Sequence, residues 1–356
     1  MKNSDMKLLI VGSGNYTFYE VALIEALKTL GYNVDSYYTR NLYYHYRTEN
    51  YKRKNLFKDK LSRFENKYEY SVYYNIKINN GLKKKIEEVK PTHVFFYNTR
   101  CFDERVIEWI KKKNIKVIAF SNDDPFSVKY PKYFWRKFLK LAQLADFVYA
   151  YREVNVKEYY DLGCKLVKVW KPYYMKERNF PVSEEDKIQD SPDVVYIGHL
   201  EGDERVEWLN YLVDNGIRLG VRAEDAKEFH DAENLVKMTD TFAQYNTILS
   251  SAKIVLVFLS KKNRDTYTRR CFEIPAAKSL MMSIYTDDLA AMFEPDKEAI
   301  YFRSKEEMLE KVWYYLANED EREKIATNGH KRLLKDGHDI IDRAKEIICD
   351  IQQYLM

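Results

Sequence analysis

Short apolar runs alternate with longer amphipathic segments along almost the whole chain, and this alternation limits the fold more than any other feature of the sequence. Apolar runs of this kind are typical of parallel strands that are buried on both faces. Amphipathic segments between them are typical of the crossover helices that join such strands. The sequence therefore predicts an α/β protein rather than a β-sandwich or a helical bundle.

The first half of the chain has the strand pattern of one doubly wound domain. Its expected strands are Lys7 to Val11, Asn33 to Tyr38, His93 to Tyr97, Lys116 to Ser121, Phe147 to Ala150 and Val167 to Trp170. A helix is expected from Phe18 to Leu30, because apolar residues recur there at helical spacing and Gly31 is a typical stop signal.

The second half repeats the pattern without visible sequence repetition. Its expected strands are Val194 to Ile197, Ile217 to Val221, Ile254 to Leu259, Leu280 to Tyr285 and Ala299 to Phe302. A helix is expected from Glu204 to Val213, and another whose apolar face is formed by Met308, Leu309, Val312, Trp313 and Leu316.

Three segments follow from this pattern. Residues 1–177 form the first Rossmann-like domain, residues 193–338 form the second, and residues 339–356 form a final helix that packs back on the first. A polar, Pro-containing stretch from Arg178 to Pro192 reads as the linker between the domains. We expect the carboxyl ends of both parallel sheets to face one cleft, where a ligand binds.

Length and charge limit the possible functions. A chain of 356 residues suits two domains of ordinary size. The formal net charge of +4 is small beside 59 basic and 55 acidic residues, which argues against nucleic acid binding. No apolar stretch is long enough to cross a bilayer, and the four cysteines are widely spaced, so we predict a cytoplasmic protein with free thiols.

The first strand leads into a tight turn formed by Gly12, Ser13, Gly14 and Asn15. Backbone N–H groups in such a turn can approach a phosphate or an acceptor. A dinucleotide fingerprint needs a third glycine, and Thr17 stands in that region instead. A structural turn, a phosphate or acceptor loop and a nicotinamide site all remain open on this pattern.

Two adjacent carboxylates, Asp123 and Asp124, follow the strand that ends at Ser121. At the carboxyl end of a strand, one of them can act as a general base or anchor an acceptor hydroxyl. The alternative is a helix cap, since Pro125 comes next.

A second turn, at Gly198 and His199, precedes Arg205 near the start of a helix. A glycine turn, a helix start and an arginine all favour anionic oxygens, so this segment is a candidate pyrophosphate cradle. A surface or capping role for His199 is the alternative.

The segment from Asn263 to Glu298 is the richest in polar motifs. It has the order Arg270, Phe272, Glu273, Pro275, then the strand Leu280 to Tyr285, then Thr286, Asp287 and the distal Glu298. This arrangement resembles the C-terminal glycosyltransferase domain of the CgeB (spore maturation protein) family over roughly the last 150 residues. The acidic pair before Pro125 resembles the N-terminal domain of the same family.

The resemblance implies a GT-B fold and sugar transfer from an activated nucleotide. It places Glu273 like the glutamate that binds the donor ribose hydroxyls. Arg205 and Arg270 are our candidates for neutralising the diphosphate, and Gly198, His199, Thr286, Asp287 and Glu298 complete the predicted donor site. One position departs from the family: Lys278 stands where a glycine is usual. This departure puts close backbone packing there, and the donor preference, in question.

A basic, tyrosine-rich stretch runs from Arg40 to Tyr74. Such a surface suits an anionic lipid headgroup, a phosphorylated carrier or a polyanionic glycan. The alternative interpretation is a solvated helical insertion without a binding role. We therefore include peripheral contact with the inner face of a membrane among the predictions.

These observations predict a metal-independent glycosyltransferase with no cofactor. Its donor is a nucleoside diphosphate sugar, with UDP-sugars favoured, and its acceptor is a cell-envelope or other glycan or a lipid-linked molecule. A nucleotide-sugar epimerase of the same fold, a non-catalytic glycan-binding protein and a nicotinamide oxidoreductase are the alternatives.

Overall fold

The structure, a computed structural model, describes residues 6–14, 17–39, 72–230 and 232–355, without the side chains of residues 72–74. These residues belong to two compact units. Unit 1 comprises Met1–Lys171 with Ile340–Met356, and unit 2 comprises Pro172–Asp339. Asn15 and nearly all of the basic stretch from Arg40 to Tyr74 lie outside the described residues.

Unit 1 contains a six-stranded sheet with the order β2-β1-β3-β4-β5-β6. Its strands are β1 (Lys7–Gly12), β2 (Asn33–Tyr38), β3 (His93–Tyr97), β4 (Lys116–Ser121), β5 (Phe147–Ala150) and β6 (Val167–Val169). Its helices are α1 (Glu20–Thr29), α2 (Val72–Val89), α3 (Glu104–Lys112), α4 (Arg136–Leu144), α5 (Glu153–Asp161) and α12 (Ile340–Tyr354). All neighbouring strands pair in parallel. β3 and β5 are buried at every position, which fits sequences that are apolar or aromatic apart from His93 at the start of β3.

The final helix, α12, belongs to unit 1. Its apolar face is buried through Ile340, Ala344, Ile347, Ile348 and Ile351. Polar contacts fix its register: Tyr149 Oη donates to Asp350 Oδ2 over 2.9 Å, and Lys168 Nζ lies 2.8 Å from Asp350 Oδ1. The chain therefore returns to its first unit after completing the second.

Unit 2 contains a second parallel six-stranded sheet, with the order β12-β11-β10-β7-β8-β9. Its strands are β7 (Val194–Tyr196), β8 (Leu219–Arg222), β9 (Leu235–Met238), β10 (Ile254–Val257), β11 (Leu280–Ile284) and β12 (Ile300–Phe302). Its helices are α6 (Arg205–Asp214), α7 (Tyr245–Ser251), α8 (Arg270–Ala276), α9 (Asp287–Met292), α10 (Lys305–Ala317) and α11 (Glu319–Lys335). Two doubly wound α/β units, the predicted fold class, are thus confirmed.

The segment expected as a linker is fastened along α7 of unit 2. Phe180 N–H donates to Asn246 Oδ1 over 3.1 Å and Asn246 Nδ2 donates back to Phe180 O over 2.9 Å. Further along, Val182 N–H and Ile188 N–H donate to the hydroxyls of Ser250 and Ser251. The Pro-containing stretch is therefore part of unit 2, because side chains of α7 satisfy its backbone.

Two details differ from the sequence interpretation. No strand is expected at β9, in which only the two end residues, Leu235 and Met238, are buried, as suits a short edge strand. On α10, Trp313 is exposed and Tyr315 takes a buried place beside Met308 and Val312. The side of α10 that contacts the core of unit 2 is therefore turned away from Trp313 and toward Tyr315, relative to the apolar face expected from the sequence.

Candidate functional site

The carboxyl edge of the unit 2 sheet collects most of the residues that the sequence marks as donor-binding. In a parallel sheet the loops that leave the strands meet at one edge. Gly198 and His199 follow β7, the first turn of α8 follows the loop after β10, and Thr286 and Asp287 follow β11. Glu298 precedes β12 and therefore lies at the opposite edge. Its Oε2 accepts a hydrogen bond from Glu294 N–H over 2.8 Å, so it closes a turn and its expected place in the donor site is wrong.

The loop at Gly198 is tightly built around a tyrosine. A Cβ at position 198 would lie 2.5 Å from Tyr196 Oη, so only glycine fits without displacing that side chain. Tyr196 Oη donates to His199 O over 2.9 Å. The His199 side chain is exposed, and desolvation together with the nearby charges of Arg222 and Arg270 lowers its pKa. The imidazole is therefore kept neutral beside two cations.

Arg205 is buried and fully engaged by the protein. Its Nε and one terminal nitrogen bind Asp203, and its other donors reach His199 O over 2.7 Å and Leu259 O over 3.1 Å. A guanidinium with these partners has no donor to offer to a diphosphate. The expected role of Arg205 is thus corrected: it joins the loop after β7 to the loop after β10.

Arg270 contrasts with Arg205. It is partly buried, its Nε is buried without a hydrogen-bond partner, and no ion pair links it to another described residue. A cation with unused donors is costly in a partly buried position unless an anion approaches it. The charge of Arg270 also contributes to the lowered pKa of His199, in the loop after β7. Arg270 and that loop form a candidate anion site at the carboxyl edge of unit 2.

Glu273 is 2% exposed, and both of its carboxylate oxygens are engaged. Oε2 accepts from Tyr245 Oη over 2.8 Å, and Oε1 lies 3.1 Å from Arg269 Nε. Burial first, and then the Glu273 charge, raise the pKa of Tyr245 well above its usual range, so this hydroxyl stays a donor. A carboxylate that binds both ribose hydroxyls must be reachable from solvent. The structure therefore corrects the expected open position of Glu273: a ribose would have to displace Arg269 or Tyr245.

Thr286 and Asp287 differ in what they leave available. Thr286 caps α9: its Oγ1 accepts from Leu289 N–H over 3.1 Å and donates to Thr266 O over 2.6 Å. The hydroxyl is consequently used within the protein. Asp287 is exposed and accepts from Tyr285 Oη over 3.0 Å, so its carboxylate remains reachable.

Lys278, the departure from the family pattern, lies just past α8 with a φ of 59°. Its N–H donates to Pro275 O over 3.0 Å, and Ser279 N–H donates to Ile274 O over 3.2 Å. This pair of bonds is the Schellman motif, whose left-handed residue is usually glycine. The Lys278 side chain is exposed, so it does not interfere with close backbone packing as the sequence suggested. What the departure from glycine affects is the left-handed backbone conformation at this position.

In unit 1 an internal carboxylate fills the first turn. Gly14 N–H donates to Glu20 Oε1 over 2.5 Å and Ser13 Oγ donates to the same atom over 3.1 Å, while Glu20 is buried. A Cβ on Gly12 would lie 2.7 Å from this side chain. A phosphate at the turn would meet the Glu20 charge. The expected phosphate loop is thus occupied by the protein's own anion, which also counts against nicotinamide binding there.

The acidic pair after β4 divides into two roles. Asp124 is 0% exposed, and its Oδ1 accepts from Phe126 N–H over 3.0 Å and Asn155 Nδ2 over 2.9 Å. Asp124 therefore holds the loop to α5 and cannot act as the expected base. Asp123 is partly exposed, and its Oδ2 lies 3.5 Å from Asn98 Nδ2 of the loop after β3. Of the pair, Asp123 alone keeps access to a substrate.

Sequence reasoning missed the partners of the candidate groups, which are Asp203, Glu20, Tyr245 and Arg269. The spacing of Asp203 and Arg205 is a local signal that could have been noticed. Tyr245 begins the helix after β9, the strand that the sequence interpretation lacks, so no pattern pointed to it.

In the described part of the chain, no group of three or more metal-ligating side chains has a suitable arrangement, and no helix is both long and apolar enough to span a bilayer.

Comparison with known proteins gives a family match over part of the chain and solved structures of similar fold. Residues 222–349 match the model of a glycosyl transferase-like family. Among curated proteins, none is similar enough in sequence to count as a relative.

Similar solved structures share the fold over nearly the whole chain. HepE of Anabaena, solved with UDP and glucose, has a TM-score of 0.67 at 10% identity, covering 98% of this chain and 100% of its own. Sucrose-phosphate synthase of Thermosynechococcus elongatus has a TM-score of 0.69 at 11% identity, covering 98% of both chains. UDP-GlcNAc 2-epimerase of Neisseria meningitidis, bound to UDP-GlcNAc, has a TM-score of 0.58 at 12% identity, covering 98% of this chain and 100% of its own. The fold is thus that of the GT-B glycosyltransferases.

Proposed function

We propose that this protein transfers a glycosyl group from a nucleoside diphosphate sugar to a glycan or lipid-linked acceptor. The GT-B fold and the glycosyl transferase-like match over residues 222–349 support this activity. HepE, a protein of similar fold, is complexed with UDP-glucose, which makes UDP-sugars the first donors to test. Arg270 is the observation that carries the proposal, because a cation at the carboxyl edge that forms no hydrogen bond or ion pair with the described residues is suited to a diphosphate.

The chemistry requires charge neutralisation at the leaving group. When the bond between the anomeric carbon and the diphosphate oxygen breaks, the electron pair goes to the diphosphate, whose negative charge grows. Arg270 stabilises that charge through its unused N–H donors. The neutral His199 beside it can donate one hydrogen bond without adding a further cation. We propose no metal and no cofactor, so excess chelator should leave turnover unchanged.

The acceptor hydroxyl must lose a proton as it attacks the sugar. Asp123 is the residue we assign to accept this proton, because it is partly exposed at the end of β4. In this proposal Arg269 first releases the Glu273 carboxylate and pairs with an oxygen of the ligand. Glu273 can then bind the donor ribose. Arg269 and Glu273 then act as a pair and not as two independent groups.

Calorimetric titration with UDP, UDP-glucose and other nucleotide sugars tests the donor site. Arg270→Ala should weaken binding of the preferred nucleotide about 10- to 150-fold, the usual range for hydrogen bonds to charged groups. Arg218→Ala is the matched control, because Arg218 of the same unit pairs with the exposed Asp190 over 2.8 Å. Equal nucleotide affinity in the wild type and Arg270→Ala, or no nucleotide binding by the wild type, would overturn the proposal.

An epimerase is the second candidate, since the Neisseria meningitidis UDP-GlcNAc 2-epimerase has a similar fold. Incubating the protein with UDP-GlcNAc in the absence of any acceptor separates the two. An epimerised nucleotide sugar as product would replace the transferase proposal. A pure glycan binder would release no heat with nucleotides.

The acceptor class is proposed from the basic residues between Arg40 and Tyr74. We assign them to an anionic lipid headgroup or carrier at a membrane surface. Flotation with vesicles containing phosphatidylglycerol, compared with neutral vesicles, measures this contact. Binding to neither kind of vesicle would restrict the acceptor to soluble glycans.

A further inference from the structure

Asn98 has a backbone conformation that side chains rarely adopt. It follows β3 directly and has a left-handed φ of 47°. Its N–H donates to Phe120 O of β4 over 2.7 Å, which fixes the backbone at this point. Asparagine tolerates the left-handed region better than most residues, and glycine adopts it without steric cost. What the position gains from asparagine is therefore its side chain.

The Asn98 amide joins the loop after β3 to the loop after β4. Its Oδ1 accepts a hydrogen bond from Ser121 Oγ over 2.9 Å, and its Nδ2 lies 3.5 Å from Asp123 Oδ2. Ser121 is 1% exposed, so its hydroxyl is held inside unit 1. With the amide turned over, its oxygen would face the carboxylate, and two acceptors would oppose each other. The N–H side of the Asn98 amide therefore faces Asp123.

The backbone on both sides of Asp123 is anchored to other parts of unit 1. Arg152, which is 1% exposed, donates from Nη2 to Asn122 O over 2.9 Å, and the Asp124 carboxylate is buried and hydrogen-bonded. These contacts fix the position of the Asp123 backbone. The direction of its carboxylate depends on rotation of the side chain, which the Asn98 amide restrains from one side.

We infer that Asn98 is a positioning residue that aims the Asp123 carboxylate at the acceptor hydroxyl. This inference rests on the proposed function, in which Asp123 takes the proton of that hydroxyl. The electron pair of the breaking bond goes to the diphosphate, and Asn98 takes part in neither transfer. A neutral amide suits this task, because a cation in its place would make a carboxylate a weaker base.

Release of UDP from UDP-glucose and UDP-GlcNAc, with water as the acceptor, tests the role of Asn98. Water attacks the anomeric carbon, its proton goes to Asp123 and the bond to the diphosphate breaks, so the same base is required. Asn98→Gly keeps the left-handed backbone and removes the amide. It should lower kcat about 10- to 100-fold, the usual effect of a misdirected catalytic group. UDP affinity by calorimetry should match the wild type, and the urea midpoint should be no lower.

Asn114→Gly is the matched control. Asn114 is an exposed asparagine with a left-handed φ of 59°, and it lies before β4, at the opposite edge of the sheet from Asp123. Both glycine substitutions should be tolerated by the backbone for the same reason. Only Asn98→Gly should lower kcat, which separates a loss of positioning from a change of backbone strain.

Two further variants distinguish positioning from a structural role. If Asn98 acts through Asp123, the double variant Asn98→Gly, Asp123→Asn should release UDP as fast as Asp123→Asn alone. Asn98→Asp keeps an acceptor for Ser121 Oγ and places a second negative charge beside Asp123. Like charges disfavour ionisation, so the acid limb of its kcat–pH profile should move to higher pH.

The outcomes separate this inference from the proposed function. Wild-type kcat in Asn98→Gly, or an equal loss from Asn98→Gly with and without Asp123→Asn, would overturn the positioning role and leave the transferase proposal standing. Full activity in Asp123→Asn would overturn the assignment of the base and the role of Asn98 with it. A wild type that neither binds UDP nor releases it from either donor would overturn both proposals.

Discussion

Arg205 and Asp203 form a bidentate pair in which two parallel hydrogen bonds, each 2.7 Å long, join the guanidinium to both carboxylate oxygens. The pair lies two residues apart at the start of α6 and is largely shielded from solvent. The remaining donors of Arg205 bind backbone carbonyls of two neighbouring loops. One side chain therefore fixes the shape of the edge at which we place the donor.

Arg205→Ala should lower the free energy of unfolding by about 3–5 kcal/mol, because the largely shielded Asp203 carboxylate and two backbone carbonyls would lose their partner. Urea denaturation measures the change. Arg270→Ala is the control and should unfold like the wild type, since Arg270 forms no hydrogen bond or ion pair with another described residue. Equal stability of the two variants would contradict the distinction between a structural and a ligand-binding arginine.

Asp123→Asn and Asp124→Asn should fail in different ways. The first removes the proposed proton acceptor and should lower kcat by about 10²- to 10⁴-fold with an unchanged urea midpoint. The second disturbs the buried contacts to Phe126 and Asn155 and should cost about 1–3 kcal/mol of stability. Steady-state kinetics together with denaturation distinguish the two. Full activity in Asp123→Asn would remove that residue from the mechanism.

Lys278→Gly should stabilise the protein by about 1 kcal/mol, because glycine adopts the left-handed conformation at the end of α8 without steric cost. Lys331→Gly replaces an exposed lysine within helix α11 and should have the opposite sign, with a loss of about 1 kcal/mol. Thermal or urea denaturation of both variants gives the comparison. A destabilised Lys278→Gly would show that the lysine side chain contributes contacts of its own.

We expect the buried His93 to make the protein less stable to unfolding at acidic pH. Burial, and then the charge of Lys116, lower its pKa from 6.5 to about 4. Between these values the unfolded chain binds a proton that the folded protein does not, so stability should fall as the pH decreases from about 6.5 to 4, by on the order of 3 kcal/mol.

Urea denaturation at several pH values measures this effect. His93→Gln should flatten the pH dependence in that window, and His230→Gln, which removes an exposed imidazole, should leave it as in the wild type. An unchanged slope in His93→Gln would assign the acid sensitivity to other groups.

Much of the architecture could be predicted because its signals are local. The strands of unit 1 are recognisable from continuous apolar runs such as the one at β3, since both faces of a parallel sheet are covered. The short edge strand β9 was missed because only its two ends are buried. The exposed Trp313 was misplaced because helical spacing defines an apolar face but not the direction of the core.

The sequence predicts where most candidate residues lie in the fold, but it does not predict which of them can contact a ligand. Residues that follow parallel strands lie at the carboxyl edge of their own sheet, which places Asp123 at that edge in unit 1 and His199 and Arg270 at that edge in unit 2. Whether each side chain is available depends on partners elsewhere in the chain. Asp124 meets Asn155, a residue 31 positions away, and the turn at Gly14 meets a carboxylate from the following helix.

The sequence by itself determined that this chain forms two parallel α/β units and where along it the polar loops fall, because strand and helix periodicity are set by neighbouring residues. Only the tertiary structure decided that the hydrogen-bond donors of Arg205 are all engaged within the protein, whereas those of Arg270 have no partner among the described residues. It also decided that Glu273 is buried and Phe242 is exposed. The carbonyl of Leu259, which binds Arg205 from 54 positions away, shows the reason. Burial and hydrogen-bond satisfaction are long-range properties, and they separate residues that support the site from those that can contact a ligand.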